Sequence, residues 1–246
     1  MGANRMTKDE IESCLRSLEV SRGDVVFFHS SLKSIGQVEG GPDAVIDAFL
    51  ETVGESGTLV LPALCMYDWE KLGREGVEKA WDIRTTPAYV GLIPETFRKR
   101  PGVIRSDNPT HSVTAFGRDA FEITKDHRIA RGGEWAANRP IWASTGAFGD
   151  NSPWDRLCRL DARYMLIGVD FNSCTLLHHV QAVHLERDQR KKDAHAPWPE
   201  FDFRWMGGKL EETGIVRTGM IGNARTRLMR CRELVDAALD VLREVG

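Results

Sequence analysis

Two adjacent histidines, His178 and His179, stand where a core strand of the sequence gives way to a helix. The residues just before them, 172–175, are Asn, Ser, Cys and Thr, so the strand ends in a polar cluster. A histidine at the edge of a sheet can take the proton that an ammonium group must lose before its nitrogen attacks an acyl carbon. The pattern therefore predicts a general base at His178 or His179; the alternative is a structural histidine that caps local carbonyl groups.

Two carboxylates further along the chain, Glu200 and Asp202, could orient such a base. A histidine base usually has a carboxylate partner that fixes its tautomer. Either residue could serve, and the alternative is that both are ordinary surface charges on an irregular extended segment.

A second polar cluster precedes another apolar, strand-like stretch, which ends at Gly117. Buried polar groups need partners, so this many hydroxyls and amides beside a core strand predict a ligand-lined wall. His111 is expected to be a structural histidine, because strand alternation would turn it toward the core. The cluster consists of Arg105, Ser106, Asn108, Thr110, His111 and Ser112.

A third group of polar residues, His29, Ser30 and Ser31, follows the first apolar run of the chain. Gly40 and Gly41 come shortly afterwards and open a helix. Backbone amides at the start of a helix bind anions, so the pattern is suited to a phosphate or to the amides of pantetheine. The alternative is that the glycines only mark the beginning of the helix.

The predicted elements alternate between strands and helices. Short apolar runs at 25–28, 58–62 and 163–169 have the length and composition of buried strands. Residues 66–87 and 118–154 lack clear periodicity and are expected to be long loops. This order predicts an α/β fold with a central mixed sheet flanked by helices. Helices are expected after the capping box formed by Thr7 and Glu10, after residues 40–43, and over 91–99, 175–185 and 231–245.

Length and composition narrow the possible functions. The 246 residues suit a single domain over 1–246, and a formal net charge of −3 without a basic stripe argues against a nucleic-acid partner. That charge is compatible with a small cationic substrate. No apolar run reaches membrane-spanning length, and the first residues lack the apolar region of a signal peptide. Five scattered cysteines without a CxxC pair predict reduced thiols in a cytoplasmic protein.

Several common enzyme motifs are missing from the sequence. It contains no GxSxG, Walker, HExxH or GxGxxG pattern, which weakens hydrolase, kinase and dehydrogenase readings together. The histidines also lack metal-ligand spacing, so no metal is expected.

Taken together and in order, the motifs resemble those of the aminoglycoside 3-N-acetyltransferase family of antibiotic acetyltransferases. The resemblance implies an α/β fold distinct from that of the GNAT acetyltransferases, with acetyl-CoA as donor. It also implies direct transfer to a small cationic amine without an acyl-enzyme, as a mechanism of antibiotic resistance. The sequence leaves open whether the protein is a monomer or a homodimer. The segments that carry the resemblance are 29–36 with 40–41, 57–62, 97–98, 101–103, 105–106 with 108–109, 152–154, 166–169, 175–178 and 222–224.

The resemblance also assigns roles to individual residues. The catalytic histidine of the family, in a Thr-x-Leu-His motif, falls on His178, whereas His179 occupies a position that is usually apolar. The acidic partner of that histidine falls on Asp202 or Glu200. The positions that contact CoA fall on His29, Ser30, Ser31, Ser34, Arg105, Ser106 and Ser112.

Two positions depart from the family pattern. Asn108 stands before Pro109 where the family usually has histidine, and Gln181 stands where a glutamate usually follows the catalytic histidine. The second change removes a charge that could hold a cationic aminosugar, so the acceptor could instead be a different amine. A CoA-binding protein without catalytic activity is the remaining alternative. Carboxylates that could compensate are Asp68, Glu70, Asp82, Glu122, Asp126 and Glu134.

Overall fold

A seven-stranded mixed sheet forms the centre of the molecule. The computed structural model describes residues 5–127, 147–187 and 199–245. Within them the strands lie in the order β3-β4-β2-β1-β5-β7-β6. β1 pairs in parallel with both β2 and β5, and the other neighbouring strands pair antiparallel. The predicted mixed sheet is therefore confirmed. The strands are β1 (Val25–Ser30), β2 (Thr58–Pro62), β3 (Ile104–Arg105), β4 (Val113–Gly117), β5 (Arg163–Ile167), β6 (Arg217–Ile221) and β7 (Ala224–Arg230).

Helices cover both faces of this sheet. The predicted helices at 91–99, 175–185 and 231–245 are confirmed as α5, α8 and α10, and the capping box of Thr7 and Glu10 starts α1. Among the described residues no helix is long and apolar enough to cross a membrane. The helices are α1 (Lys8–Ser17), α2 (Leu32–Ile35), α3 (Gly41–Val53), α4 (Trp69–Ala80), α5 (Leu92–Arg98), α6 (Ala120–Thr124), α7 (Pro153–Arg159), α8 (Leu176–Arg187), α9 (Phe203–Glu212) and α10 (Cys231–Val245).

Strand alternation divides the core into two layers. Phe27 and Tyr164 point to one face, where they join a cluster built with α7, α8, α9 and α10. Phe28 and Met165 point to the other face and pack with α1, α3 and α5. Successive side chains of a strand face opposite sides of a sheet, and both layers are apolar, so β1 and β5 contribute apolar side chains to both layers.

The expectation of a long loop over residues 66–87 was wrong, because this stretch contains α4. Gly73 has φ 59° and ψ −175° inside that helix, so the two helical turns meet at a kink. The break interrupts the helical spacing on which a sequence-based assignment depends. The stretch 118–154 likewise contains α6 and the start of α7, while residues 128–146 lie outside the described part of the chain.

The polar clusters meet at one edge of the sheet. The parallel strands β1, β2 and β5 end on the same side, and β4 starts there, with Val113 opposite Pro62. Backbone bonds tie the segments that follow: Ser31 N donates to Ile167 O at 2.9 Å and Ala63 N donates to Ser112 O at 2.8 Å. Ligands of open α/β sheets bind at the carboxyl ends of their strands, so this edge is the place to look for a site.

Candidate active site

A short connection places His178 at the edge of the sheet. Between β5 and α8 the chain makes a 3-10 turn at Phe171–Ser173, capped by the Asp170 side chain, which accepts from Asn172 N. His178 N then donates to Thr175 O at 3.0 Å in the first turn of α8. The Thr175 hydroxyl lies 3.2 Å from His29 Nε2, which links this turn to the end of β1. The predicted strand-to-helix position of His178 is therefore confirmed.

A buried amide holds one nitrogen of the His178 ring. His178 Nδ1 lies 2.7 Å from Gln181 Oε1, and Gln181 Nε2 donates to Pro199 O at 2.6 Å. A carbonyl oxygen can only accept, so the amide nitrogen of Gln181 must face Pro199 and its oxygen must face the imidazole. His178 Nδ1 therefore carries the proton in the neutral ring, and Nε2 is left as the basic atom.

The surroundings of His178 keep its ring neutral. The ring lies 4.7 Å from that of Phe203, 5.4 Å from that of Phe148 and 5.9 Å from that of His111, between centroids. Burial lowers the pKa of His178 to about 4, although the bond to Gln181 acts in the opposite direction. At neutral pH the imidazole is thus in the protonation state that a general base needs.

His111 was expected to serve the core, and the structure instead places it beside His178. Its Nδ1 lies 3.0 Å from Thr110 Oγ1, and its backbone nitrogen donates to Asn108 Oδ1 at 2.8 Å. Its ring packs 4.9 Å from that of Phe148. Residues 110–112 precede β4 rather than belonging to it, so the strand alternation used in the sequence analysis does not apply to this residue.

His179 lies on a different side of α8. It is 3% exposed, and its Nδ1 accepts from Gly149 N at 3.3 Å. Hydrogen bonds from Cys231 and from His179 lower the pKa of the Cys158 thiol to about 6. These contacts give His179 a place in the core beside α7 and α10. Of the two adjacent histidines, the geometry favours His178 as the base.

The two predicted carboxylate partners lie at the start of α9. Asp202 is the N-cap of this helix, and its Oδ1 accepts from Trp205 N at 2.8 Å. Glu200 is exposed and follows the carbonyl group that anchors Gln181. A role for either carboxylate toward His178 stays a prediction. The residue that the structure places on His178 Nδ1 is Gln181, three positions further along the same helix.

Arg105 and Ser112, two of the predicted cofactor-binding residues, form an internal network. Arg105 donates to Ser112 Oγ at 3.0 Å, to Ala63 O at 2.9 Å and to Thr86 O, and its guanidinium lies 4.6 Å from the centroid of the Trp81 ring. This network ties the segment before β4 to the end of β2. A direct contact of Arg105 or Ser112 with a cofactor stays a prediction.

Ser106 is also buried and hydrogen-bonded within the protein. Its hydroxyl accepts from Val113 N at 2.9 Å and lies 2.8 Å from His127 Nδ1. His127 Nε2 in turn lies 2.9 Å from Ala147 O, so Ser106 connects β4 to the segment that follows α6. The predicted cofactor contact of Ser106 likewise remains untested.

The residues after β1 are closer to open space. Ser31 caps α2 and accepts from Ser34 N at 3.2 Å, and Ser34 Oγ lies 3.1 Å from Gly168 O. Ser30 Oγ is buried and has no hydrogen-bond partner within the described part of the chain. Since buried hydroxyls are normally paired, Ser30 fits a position that contacts a ligand. Ser34 lines a cavity of about 620 Å³ together with Asn172, Asn223, Arg204, Arg225 and Arg227.

His29 differs from its serine neighbours. Burial lowers its pKa to about 3, and its ring packs 5.2 Å from that of Phe27 and 5.9 Å from that of Tyr164. Its Nε2 faces the Thr175 hydroxyl at 3.2 Å. The structure therefore connects His29 to the turn that carries His178, and its predicted contact with the cofactor is untested.

Three of the remaining acidic candidates have local roles. Asp68 caps α4, Asp82 accepts from the backbone of Arg84 and Thr85, and Glu122 pairs with Lys125 at 2.6 Å. Glu134 lies outside the described residues. Across 5–127, 147–187 and 199–245, no group of three or more His, Cys, Asp or Glu side chains could hold a metal ion.

Comparisons with known proteins connect this arrangement to one family. The model of the aminoglycoside 3-N-acetyltransferase family matches residues 27–243. Aminoglycoside N(3)-acetyltransferase VII of Streptomyces paromomycinus is 29% identical, over 94% of this chain and 89% of that protein. The SPbeta prophage-derived aminoglycoside N(3')-acetyltransferase-like protein YokD of Bacillus subtilis (strain 168) is 31% identical, over 94% of this chain and 90% of that protein.

The fold agrees with these sequence matches. The solved structure of AAC-VIa bound to sisomicin superimposes on this chain with a TM-score of 0.78. The two are 25% identical, and the superposition covers 99% of each chain. The likeness therefore extends over the whole sheet and its helices.

Proposed function

Because the chain belongs to the aminoglycoside 3-N-acetyltransferase family, we propose that it transfers the acetyl group of acetyl-CoA to an aminoglycoside. The acceptor in this proposal is the 3-amino group of the 2-deoxystreptamine ring. Family membership makes the protein an acyltransferase. Acetylation removes a positive charge from the antibiotic, and with it the means by which such a cation binds RNA.

His178 is the general base of the proposed reaction. The acceptor nitrogen attacks the thioester carbon directly, and the carbon–sulfur bond breaks without an acyl-enzyme. The amine proton passes to His178 Nε2 and from there to the departing CoA sulfur. The observation that carries this proposal is the hydrogen bond of 2.7 Å between His178 Nδ1 and Gln181 Oε1, which leaves Nε2 unprotonated at the sheet edge.

The acetyl donor is placed along the ends of β1 and β5. The buried Ser30 hydroxyl lacks a partner among the described residues, and Ser34 borders a cavity of about 620 Å³. Hydroxyls and backbone amides suit the amides of pantetheine, and the arginines that line the same cavity suit its phosphates. These features support the assignment of acetyl-CoA as co-substrate.

A second candidate keeps the donor and changes the acceptor to an amine that is not an aminoglycoside. Gln181 favours it, because a neutral amide stands where a carboxylate could hold a cationic sugar.

CoA thiol release with a panel of acceptors tests the proposal and separates the two candidates. The panel contains aminoglycosides with a 2-deoxystreptamine ring, the same compounds already acetylated at the 3-amino group, and simple primary amines. We expect release with the first set and not with the second. Release with the simple amines alone would select the second candidate, and release with none of the acceptors would contradict the proposed function.

A further inference from the structure

The two positions at which the sequence departs from the family pattern lie in one constellation. Asn108 and Gln181 are both buried, 0% and 4% exposed. Asn108 Oδ1 accepts a hydrogen bond from His111 N, and Gln181 Oε1 lies within hydrogen-bond distance of His178 Nδ1. The two histidines, His111 and His178, face one another with their ring centroids 5.9 Å apart and their planes at 73°.

The bonds around Asn108 determine the tautomer of His111. Asn108 Oδ1 accepts from Thr110 N at 3.0 Å, from the Thr110 hydroxyl at 2.9 Å and from His111 N at 2.8 Å. The Thr110 hydroxyl donates to Asn108 Oδ1, and its oxygen can accept a hydrogen bond from the ring. His111 Nδ1, 3.0 Å away, is therefore the donor, and its Nε2 is the unprotonated atom.

The two imidazole rings are thus held in the same tautomer. Gln181 fixes His178 as the Nδ1–H tautomer through the carbonyl of Pro199, and Asn108 fixes His111 as the same tautomer through the Thr110 hydroxyl. In each ring Nε2 is then the unprotonated nitrogen, and both rings pack against Phe148.

We propose that His111 is a second functional histidine of the site, whose Nε2 accepts a hydrogen bond from the attacking amino group while His178 Nε2 takes its proton. This proposal rests on the proposed acetyl transfer. A primary amine has more than one N–H, so it can donate to both rings at once. One proton is transferred: it leaves the acceptor nitrogen for His178, and His111 keeps its own proton on Nδ1 throughout.

The electrostatics of the pair agree with a single transferred proton. Burial, together with the neighbouring His178 and His127, lowers the pKa of His111 well below its usual range. Elsewhere around the rings, α9 presents Phe203 to His178, and the segment after 146 presents Phe148 to both. A positive charge on one ring opposes a positive charge on the other, so the pair takes up one additional proton at a time.

Substitution of His111 separates this role from a structural one. His111→Asn keeps a donor near the position of Nδ1 for Thr110 but removes the acceptor at Nε2. We expect it to lower kcat/KM for the amine about 10²-fold, the lower end of the range for proton-handling groups, with an unchanged KM for acetyl-CoA. His111→Gln, which can place an amide oxygen near the position of Nε2, should recover part of the loss. Equal activity of wild type and His111→Asn would overturn the proposal.

Imidazole NMR of the wild-type protein provides a test that no variant can confound by misfolding. Long-range proton–nitrogen spectra at neutral pH should show both His111 and His178 as Nδ1–H tautomers. Addition of the amine that the acceptor panel identifies should shift both Nε2 signals.

An Nε2–H tautomer of His111, or an Nε2 signal of His111 that does not respond to the amine, would contradict the proposal while leaving acetyl transfer intact. If the panel identifies no acceptor, the proposed function itself fails, and the tautomer of His111 alone then decides whether the described pair exists.

Discussion

His178 acquires its character from a neutral amide at one ring nitrogen and from burial. The bond from Nδ1 to Gln181 Oε1 fixes the tautomer without adding a charge, and burial lowers the pKa to about 4. A carboxylate in place of that amide would instead stabilise the imidazolium form. In the proposed mechanism the side chain at position 181 therefore contributes, together with burial, to the pH range over which His178 can accept a proton.

Replacement of Gln181 by glutamate should change the pH profile in a defined direction. In the proposed mechanism the neutral imidazole is the active form, so kcat/KM should fall as pH drops through the pKa of His178. A buried carboxylate on Nδ1 raises that pKa, and we expect the acidic limb to move upward by about 1–2 pH units. Steady-state kinetics over pH 4 to 8 measures it.

Gln181→Leu serves as the matched control for that experiment. It should reduce the rate without an upward shift of the acidic limb, because it removes the bond that holds the ring and adds no charge. Coincident acidic limbs for wild type and Gln181→Glu would mean that Gln181 does not control the titration of His178.

Single residues of the site could be predicted only in part. The register of the Thr-x-Leu-His motif predicts His178 as the base, and the structure places this residue in the first turn of α8. The same sequence does not reveal that Gln181 bridges the ring to Pro199, because that bond joins residues 18 positions apart. His111 was assigned to the core because the strand was taken to begin before it, whereas β4 begins at Val113.

At the scale of elements, the start of α9 contributes to the site through its cap and its first residue. Asp202 caps the helix, and the next residue, Phe203, packs 4.7 Å from the His178 ring. The cap therefore influences the site through the position of Phe203. Its carboxylate can be tested separately from its capping function, because serine also caps helices well.

Substitution of Asp202 distinguishes the cap from a carboxylate partner of the base. Asp202→Ala should lower the free energy of unfolding by about 1 kcal/mol and reduce activity, because the bond to Trp205 N is lost. We expect Asp202→Ser to restore both, as measured by chemical denaturation and CoA release. A serine variant that is stable but as inactive as the alanine variant would show that the carboxylate itself is required.

The elements that could be predicted from the sequence have a simple pattern of apolar residues. β1, β2 and β5 are continuous apolar runs, and α10 has apolar residues on one face over its whole length. β6 and β7 were not predicted, since their exposed residues include charged side chains and their burial is uneven. The turn between them uses Gly222 with φ 56°, a conformation that residues other than glycine rarely adopt.

At the scale of the whole molecule, the site brings together residues from distant parts of the chain. The ends of β1 and β5 supply Ser30 and the turn before His178, and the segment before β4 supplies His111. Parallel strands make this convergence predictable, because their carboxyl ends share one edge of the sheet. The contacts between residues at that edge depend on side-chain hydrogen bonds, which cannot be predicted from the spacing of apolar residues.

The most direct measurement of the central claim is the rate of CoA release by His178→Ala on the amine that wild type acetylates best. We expect a loss of about 10²–10⁴-fold at neutral pH, since the variant lacks the base, with acetyl-CoA still bound. The control is acetyl-CoA binding by the variant, which shows that it is folded. A folded His178→Ala variant that turns over as fast as wild type would contradict the account.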